Sequence, residues 1–206
     1  MTDASKTVEA SSDESQRTLL ERARTGDFAA FEKLVLELEP RVYRLAWRML
    51  RQSHDAEDVT QQTFLSVIEH LEQFRGESTF ANWVLRIAAN HALKLMRKRR
   101  GMPTLSWEGR GSGEEENGSP LPHPDFIAPW RETPADLAER SEIRDLIDQS
   151  LLELDEKYRL VFLLRDIEGL SVRETAEVLG LSESNVKVRL LRARLQLRER
   201  LTQVLG

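Results

Sequence analysis

The sequence predicts an all-α protein made of two small helical domains, which a flexible linker joins and of which the second contains a helix-turn-helix. Three observations predict this fold class. Apolar residues recur at helical spacing in both halves of the chain, and no alternating run of β-branched residues indicates a sheet. Between Gly101 and Pro134 lie six of the seven prolines and five of the ten glycines, a composition too broken to hold a helix.

This composition sets the predicted boundaries along the 206 residues. Residues 1–16 are polar and mildly acidic, which predicts a disordered tail. The first domain is expected over 17–101 and the second over 135–203. The linker between them, over 102–134, is expected to be flexible and acidic, because it carries the run Glu114–Glu116. Each domain is long enough to bury a modest core.

In the first domain the spacing of apolar residues predicts five helices. They are Gln16–Arg24, Asp27–Leu38, Arg41–Arg51, Asp55–Phe74 and Thr79–Arg99. Pro40 is expected to separate the second from the third, since proline disfavours helix in the residue before it. The tract Arg75–Ser78 is expected to be a loop, with Ser78 as the N-cap of the helix that follows.

The second domain is predicted to hold four helices. They are Ala135–Glu153, Asp155–Asp166, Ser171–Leu179 and Glu183–Leu201. The last two have the layout of a helix-turn-helix, whose second helix enters the major groove of DNA. Ala176 is small where the helices must approach, Gly180 permits the positive φ of a tight helix exit, and Ser182 can cap the second helix. A plain helical hairpin is the alternative.

Charge distribution favours a nucleic-acid partner even though the net charge is −5. From Arg86 to Arg100 there are six Lys/Arg and no acid, and from Ser182 to Gly206 there are six Lys/Arg against two Glu. Basic segments on an acidic protein are the electrostatic footprint of DNA binding, because neutralising phosphates drives much of the affinity. The alternative is two helix faces that are simply solvated.

The last helix, wound at about 100° per residue, separates into a core stripe and a candidate DNA surface. The predicted core stripe is Val186, Leu190, Ala193, Leu197 and Leu201. One flank of the opposite side is Asn185, Arg189, Arg192 and Gln196, and the other is Lys187, Arg194 and Arg198. The strip between the flanks is Ser184, Val188, Leu191 and Leu195. Bases are expected to meet the strip and phosphates the flanks, with a protein partner as the alternative for Leu195.

The basic helix of the first domain separates in the same way. Its predicted core stripe is Val84, Ala88, Ala92 and Leu95. Its predicted DNA-binding stripe is Trp83, Arg86, Asn90, Lys94 and Arg97. Asn90 is best placed to read a base edge, or else is an ordinary exposed amide. Trp83 either stacks on an unpaired base or seals the edge of the core, whereas Phe80 and Trp47 are expected in the core.

Several classes of protein are disfavoured. The chain has no cysteine, and its four histidines lack metal-ligand spacing. There is no P-loop and no nucleophile–base pair, so neither an enzyme nor a cofactor is expected. The longest apolar stretches are too short to span a bilayer, and the polar start does not resemble a signal peptide. We therefore expect no membrane insertion and a place in the cytoplasm.

Four segments, in this order, resemble the extracytoplasmic-function group of bacterial RNA polymerase sigma factors. Asp55–Phe64 looks like their helix that grips the β′ coiled coil of the polymerase, and Phe74–Trp83 resembles their promoter-melting loop. Trp83–Lys94 is similar to the helix that reads the minus-ten element. Ser171–Arg194 is similar to the module that reads the minus-thirty-five element. The resemblance covers roughly residues 17–101 and 135–201.

The resemblance implies a transcription initiation factor that binds core RNA polymerase and promoter DNA, helps to melt the promoter, and is held by an anti-sigma factor. By position, the polymerase contact would comprise Asp55, Glu57, Asp58, Gln61 and Phe64. The pocket for a flipped base would comprise Arg75, Gly76, Glu77 and Ser78. Asn90 would face the minus-ten bases. The minus-thirty-five groove would be met by Lys187, Arg189, Leu191 and Arg192.

The sequence departs from the family's pattern at three positions. Gln62 stands where the family often has an acid and Ile68 where it often has tryptophan, which predicts a softer polymerase contact. Lys187 stands where arginine is frequent, and lysine cannot form arginine's bidentate fork. Two other functions remain open at this point: a helix-turn-helix regulator that acts without core polymerase, and a helical adaptor that binds only protein.

Overall fold

The computed structural model describes residues 17–101 and 147–205, and the regular structure of these ranges is entirely helical. The predicted all-α fold class is therefore confirmed. The chain divides into two compact units, the first ending at Thr104 and the second beginning at Leu105. The predicted tail, the predicted linker and residues 135–146 of the predicted helix Ala135–Glu153 lie outside the described residues. Within the described ranges, no helix is long and apolar enough to cross a membrane.

The first unit is a three-helix core with a short helix added at its start. The helices are α1 (17–24), α2 (Phe28–Leu50), α3 (Ser53–His70) and α4 (Phe80–Arg99). A 3-10 turn, Leu71–Gln73, follows α3. Helices α2, α3 and α4 pack against one another. Fully buried side chains from all three form the core, among them Leu34, Val42, Leu45, Met49, Val67, Val84 and Leu85.

Pro40 lies inside α2, so the prediction of two helices separated at this residue is wrong. Proline removes one backbone hydrogen bond and costs about 3 kcal/mol inside a helix. Buried residues continue on both sides of it, from Leu34 and Leu38 to Val42 and Leu45. Their burial favours one continuous helix by more than the proline opposes it. Pro40 itself is exposed, so water can reach the backbone around the missing bond.

Two boundaries of the first unit also differ from the prediction. The α-helical part of α3 ends at His70 and Phe74 lies beyond the 3-10 turn, in extended backbone. Thr79, not Ser78, caps α4, because its hydroxyl accepts a hydrogen bond from the amide of Asn82 at 3.2 Å.

The buried side of α4 is wider than the predicted stripe. Leu85, Ala89 and Leu93 are buried together with Val84, whereas Leu95 is only half-buried. The difference arises because α4 packs on two helices, α2 and α3, and not on one.

The second unit contains α5 (described over 147–153), α6 (Glu156–Phe162), a π turn (Leu163–Ile167), α7 (Val172–Leu179) and α8 (Glu183–Leu205). The predicted α-helix Asp155–Asp166 is therefore wrong in its last part. The amide of Glu168 donates to the carbonyl of Leu163 at 2.9 Å, a bond that spans five residues. Every residue from 158 to 164 is buried, so the segment carries no amphipathic period from which this change of helix type could be predicted.

The helix-turn-helix is capped as the sequence predicts. Gly180 ends α7 with φ 66°, in the left-handed region that favours glycine. The hydroxyl of Ser182 accepts from the amide of Asn185 at 3.2 Å at the start of α8. Ser171 and Glu174 form a capping box, with bonds of 3.1 Å and 2.8 Å. Four residues of the predicted α8 core stripe are buried and Leu201 is half-buried.

Candidate nucleic-acid and polymerase interfaces

The α8 surface opposite the core gathers the side chains predicted to meet the minus-thirty-five element. This set is termed the reading face and comprises Ser184, Asn185, Lys187, Val188, Arg189, Leu191 and Arg192. Val188 is 42% exposed, Ser184 and Lys187 are also exposed, and the other four are half-buried. The other side of α8 packs on α6 and α7. The face therefore combines apolar and basic groups in the part of the second helix that a helix-turn-helix directs into the major groove.

Two arginines of the reading face are oriented by hydrogen bonds within the second unit. Nε of Arg189 donates to Oδ1 of Asn185, one helical turn earlier, at 2.9 Å. This bond uses the inner nitrogen, so the outer nitrogens retain the planar fork that matches a guanine edge. Nη1 of Arg192 donates to the hydroxyl of Tyr158 on α6 at 3.4 Å.

A third arginine of α8 is bound internally. Nε and Nη2 of Arg194 donate to the two carboxylate oxygens of Asp166 at 2.7 Å and 2.8 Å. The hydrogen bond to this carboxylate raises the pKa of Arg194 further. Helical winding predicts Arg194 on one flank of α8 with Lys187 and Arg198. Arg194 differs from these two in its partner, because the Asp166 carboxylate, 28 residues earlier in the chain, pairs with its charge. Phosphate binding by this flank stays a prediction.

The stripe predicted on α4 faces solvent along most of its length. Asn90, Lys94 and Arg97 are exposed, and Arg86 is half-buried. The last turn of α4 adds Lys98 to this basic surface. Cations at the C-terminal end of a helix also interact favourably with its dipole. Arg97 and Lys98, in the last turn, therefore do not destabilise α4.

Trp83 belongs to an aromatic cluster at the start of α4. Its ring centroid is 5.4 Å from that of Phe74 and 5.8 Å from that of Phe80. Phe74 and Phe80 are buried, and Trp83 is half-buried. The core position expected for Phe80 is confirmed, whereas Trp47 is only half-buried. Trp83 thus seals the core edge, and stacking of its remaining exposed surface on a base stays a prediction.

The loop before α4 is termed the base-capture loop and comprises Arg75, Gly76, Glu77 and Ser78. The first three are exposed and Ser78 is half-buried. Gly76 has φ 75°, which a side chain would strain. The rings of Phe74 and Phe80, one on each side of the loop, meet edge to face with centroids 5.5 Å apart. The ring contact therefore holds the two ends of the loop together, and the residues between them are mostly exposed.

The exposed side of α3 carries most of the predicted polymerase contact. Glu57, Asp58 and Gln61 are exposed and Phe64 is half-buried. Asp55 differs, because its carboxylate pairs with Arg99 of α4 and its side chain is 16% exposed. Arg99 also donates to Oε1 of Gln52 at 2.9 Å.

Two apolar residues extend this surface along α3. Leu65 and Ile68 are each 49% exposed, and together with Glu57, Asp58, Gln61 and Phe64 they form what is termed the polymerase face. Leu65 was missed by the motif reasoning. Its spacing of four and seven residues from Gln61 and Asp58 is the signal that could have identified it, because such residues share one side of a helix.

One histidine links α3 to α4 beneath these surfaces. Nε2 of His91 and the hydroxyl of Ser66 are hydrogen-bonded at 3.0 Å. Burial lowers the pKa of His91, and the positive charge of Lys94 lowers it further. Within the part of the chain that the structure describes, no group of three or more His, Cys, Asp or Glu side chains is placed to hold a metal ion.

Comparison with protein families assigns both units. The family model for Sigma-70 region 2 matches residues 34–101, and the model for Sigma-70, region 4 matches residues 144–197. The first match contains α3, the base-capture loop and α4, and the second contains the helix-turn-helix. The polymerase face, the base-capture loop and the reading face therefore all lie inside matched segments.

Two similar proteins align with this chain over most of both lengths. The ECF RNA polymerase sigma factor SigW of Bacillus subtilis (strain 168) is 31% identical over 182 residues, which are 88% of this chain and 94% of that protein. The RNA polymerase sigma-H factor of Pseudomonas aeruginosa is 32% identical over 181 residues, which are 88% of this chain and 91% of that protein.

Solved structures agree in fold. CnrH, solved in complex with the cytosolic domain of CnrY, superposes with a TM-score of 0.57 at 27% identity, over 92% of this chain and 98% of that one. The sigma factor RpoE of Bartonella quintana, solved with the anti-sigma factor NepR, gives a TM-score of 0.54 at 22% identity, over 84% of this chain and 96% of that one. The second likeness concerns the fold alone.

Proposed function

Because this chain belongs to the extracytoplasmic-function (ECF) group of RNA polymerase sigma factors, we propose that its two helical units divide the work of promoter recognition between named surfaces. The chain is a transcription initiation factor that binds core RNA polymerase and directs it to promoters. The first unit would hold the polymerase and open the minus-ten element, and the second would read the minus-thirty-five element as duplex DNA. The domain limits proposed for these tasks are 17–101 and 135–203.

The reading face is the surface that we propose for the minus-thirty-five element. The observation that carries the proposal is the oriented guanidinium of Arg189, whose inner nitrogen Nε is occupied by Asn185, a bond in which the two outer nitrogens take no part. Such a fork discriminates guanine from the other bases. Lys187 would contribute as a point charge on a phosphate. Val188 and Leu191 would contact thymine methyl groups between the two polar flanks.

The polar stripe of α4 and the base-capture loop are the surfaces that we propose for the minus-ten element. Asn90 would read a base edge, whereas Lys94 and Arg97 would hold phosphates. The loop would accept a base that has left the stack, which offsets an unstacking cost of a few kcal/mol. Trp83 would support the loop from its buried side and offer its exposed part to a neighbouring base.

The polymerase face on α3 is proposed as the docking surface for core polymerase. It combines the acids Glu57 and Asp58 with the exposed apolar residues Leu65 and Ile68. A buried apolar centre with charged neighbours is the usual composition of a specific protein interface. Asp55 would support this surface by holding α3 in place, because its pairing with Arg99 joins the start of α3 to the end of α4.

A protein inhibitor is proposed as the third partner, in the class of anti-sigma factors. The basis is CnrH, which was solved with the cytosolic domain of CnrY bound. We further propose that the chain works in the cytoplasm and by binding alone, without catalysing a reaction.

The test of the division of labour is transcription in vitro from a genomic promoter library, with core polymerase and this protein. Asp58→Arg reverses a charge in the middle of the polymerase face, and we expect it to lower core affinity about tenfold or more. The exposed Glu32, on α2 and outside the polymerase face, offers a control with the same charge reversal as Glu32→Arg. Equal core affinity for Asp58→Arg and wild type would refute the docking surface. Promoter binding that needs no core polymerase would instead favour a helix-turn-helix regulator.

A further inference from the structure

We infer that Arg24, on the short helix α1, is a positioning residue for the base-capture loop. The inference rests on the proposed function of that loop and assigns to α1 a part in promoter opening. No sequence motif points to it, because Arg24 lies 50 residues before its partner.

The contact is made by the guanidinium of Arg24 with Phe74 in two ways. Nη2 of Arg24 donates to the backbone carbonyl of Phe74. The central guanidinium carbon also lies 5.8 Å from the centroid of the Phe74 ring, within range of a cation–π interaction. Phe74 immediately precedes the base-capture loop. A single side chain thus contacts both the backbone and the ring of the residue from which the loop starts.

The far end of the loop is fixed by the same cluster. Phe80 begins α4, and its ring meets the ring of Phe74 edge to face. Thr79 caps the helix there through the amide of Asn82. Between Phe74 and Phe80 only five residues remain, and Arg75, Gly76 and Glu77 are exposed. The α4 cap thus holds the end of the loop, and Arg24 contacts the residue at its start.

The anchoring of α1 does not depend on Arg24. Leu20 and Ala23 are buried against the first unit. Arg22 is bound to Asp27, the N-cap of α2, with its Nε and Nη2 at 2.9 Å and 2.6 Å from one carboxylate oxygen. This hydrogen bond lowers the pKa of Asp27, with the Ala30 amide adding to the effect. Arg24 points elsewhere from the same helix and is itself exposed, so its loss leaves these contacts intact.

The physical consequence concerns the order of the loop before DNA arrives. A loop whose first residue is held less firmly samples more conformations, and capturing a base then requires ordering it at a larger entropic cost. The contact of Arg24 with Phe74 removes part of that freedom in advance, so more of the contact energy appears as binding. Arg24 should therefore act on base capture and not on the binding of duplex DNA or of core polymerase.

The experiment uses the holoenzyme, formed from core polymerase and the full chain, on a promoter with a pre-melted minus-ten bubble. An abasic nucleotide is scanned through the non-template strand, and the captured position is the one where losing the base weakens binding most. For wild type we expect a ratio of about tenfold between the intact and abasic bubbles, the range for one stacked base. For Arg24→Ala we expect that ratio to fall to about twofold or less.

Two variants separate positioning from folding. Arg24→Lys keeps a cation that can donate to the Phe74 carbonyl, so it should restore part of the ratio. Arg17→Ala is the control on the same helix: it removes an exposed cation and keeps Leu20, Arg22 and Ala23, which anchor α1, so the full ratio should remain. Thermal unfolding and core affinity should stay at wild-type values for Arg24→Ala.

Each outcome decides the matter. A wild-type holoenzyme that shows no base dependence at any position would refute base capture by the loop, and the role of Arg24 with it. Base dependence in wild type that Arg24→Ala retains would refute the role of Arg24 alone. A ratio lost together with core affinity or thermal stability, and not restored by Arg24→Lys, would make Arg24 a structural residue and would also overturn the inference.

Discussion

In α8, Arg189, Arg192 and Arg194 each meet a polar side chain of the second unit, whereas in α4 the corresponding stripe exposes Asn90, Lys94 and Arg97 to solvent. The targets proposed for the two helices differ in the same sense. Duplex DNA presents a groove of nearly fixed width, so a reader of it gains from oriented side chains. A melted strand has no fixed shape, and its reader needs side chains that can follow it. We therefore call the surface of α8 pre-oriented and the polar stripe of α4 adaptable.

The largest effect that we expect tests the pre-oriented side. Arg192→Ala should cost about 1–3 kcal/mol and relax preference in the minus-thirty-five element, the range for a lost base contact. Arg198 lies nearly two turns further along, where the helix should be leaving the groove, so Arg198→Ala should cost less. The measurement is holoenzyme affinity across promoters randomised in this element. A greater loss with Arg198→Ala would reverse the assumed docking direction.

A smaller effect is expected on the adaptable side. Asn90→Ala should change base preference in the minus-ten element at a cost of about 1 kcal/mol. Lys94→Ala should instead weaken binding evenly across sequences and reduce the salt slope by about one. Titrations at several salt concentrations, on promoters that vary in the minus-ten element, measure both. Equal and sequence-blind losses from the two variants would remove base reading from Asn90.

The internal ion pair of α8 gives a third and smaller test. Asp166→Ala should lower the local unfolding free energy around α8 by about 0.5–1 kcal/mol, because the pair is partly exposed. The backbone amides of α8 should exchange faster in this variant, and those of α4 should not change. Hydrogen exchange of backbone amides in the full chain reports on both helices at once. Arg194→Met should give the same loss, and the double variant no further loss, if the pair is the cause.

The smallest effect concerns pH. Burial lowers the pKa of His91, and Lys94 adds to this, so folding favours the neutral ring. The stability that this contributes is complete above the unfolded value of about 6.5 and is lost as pH falls through that value toward the lowered one. His91→Gln should flatten this dependence in α4. Residues 147–205 contain no histidine, so the protection factors of the α8 amides, which are corrected for the intrinsic pH dependence of exchange, should stay constant over the same window. An equal response there would contradict the assignment.

Features that depend on neighbouring residues were predictable from the sequence. The caps at Gly180 and Ser182 follow from local backbone chemistry, and the buried stripe of α8 follows from its period. The continuous α2 was not predictable, because the propensity of Pro40 is opposed by core contacts with other helices. Two arginines near the sites have partners that are distant in sequence. Arg194 pairs with Asp166, 28 residues away, and Arg24 contacts Phe74, 50 residues away. Spacing along one helix carries no information about such pairs.

The site residues divide in the same way. Motif positions and helical winding placed Asp58 and Gln61 on the exposed side of α3, and the reading face on the side of α8 opposite the core, without knowledge of the fold. The same reasoning could not separate Asp55 from its neighbours, because its partner Arg99 comes from another helix. It also passed over Leu65, which matches no motif and becomes noticeable only by its exposure.

The π turn at Leu163–Ile167 bears on which length changes the second unit can accept. A π turn holds one residue more than the α-helical path between the same points. Deleting one residue there would let the segment close as ordinary α-helix between the same end points, so the residues beyond it would keep their direction relative to α6. Deleting one residue inside α6 is different, because ordinary α-helix has no spare residue to give up, and everything beyond it would rotate by about 100°. Asp166 would then no longer face Arg194, and Tyr158 would lose Arg192. The caps of α7 and α8 would survive either deletion, because all of their hydrogen bonds lie downstream. The second unit should thus accept the loss of one codon at the π turn and not within α6.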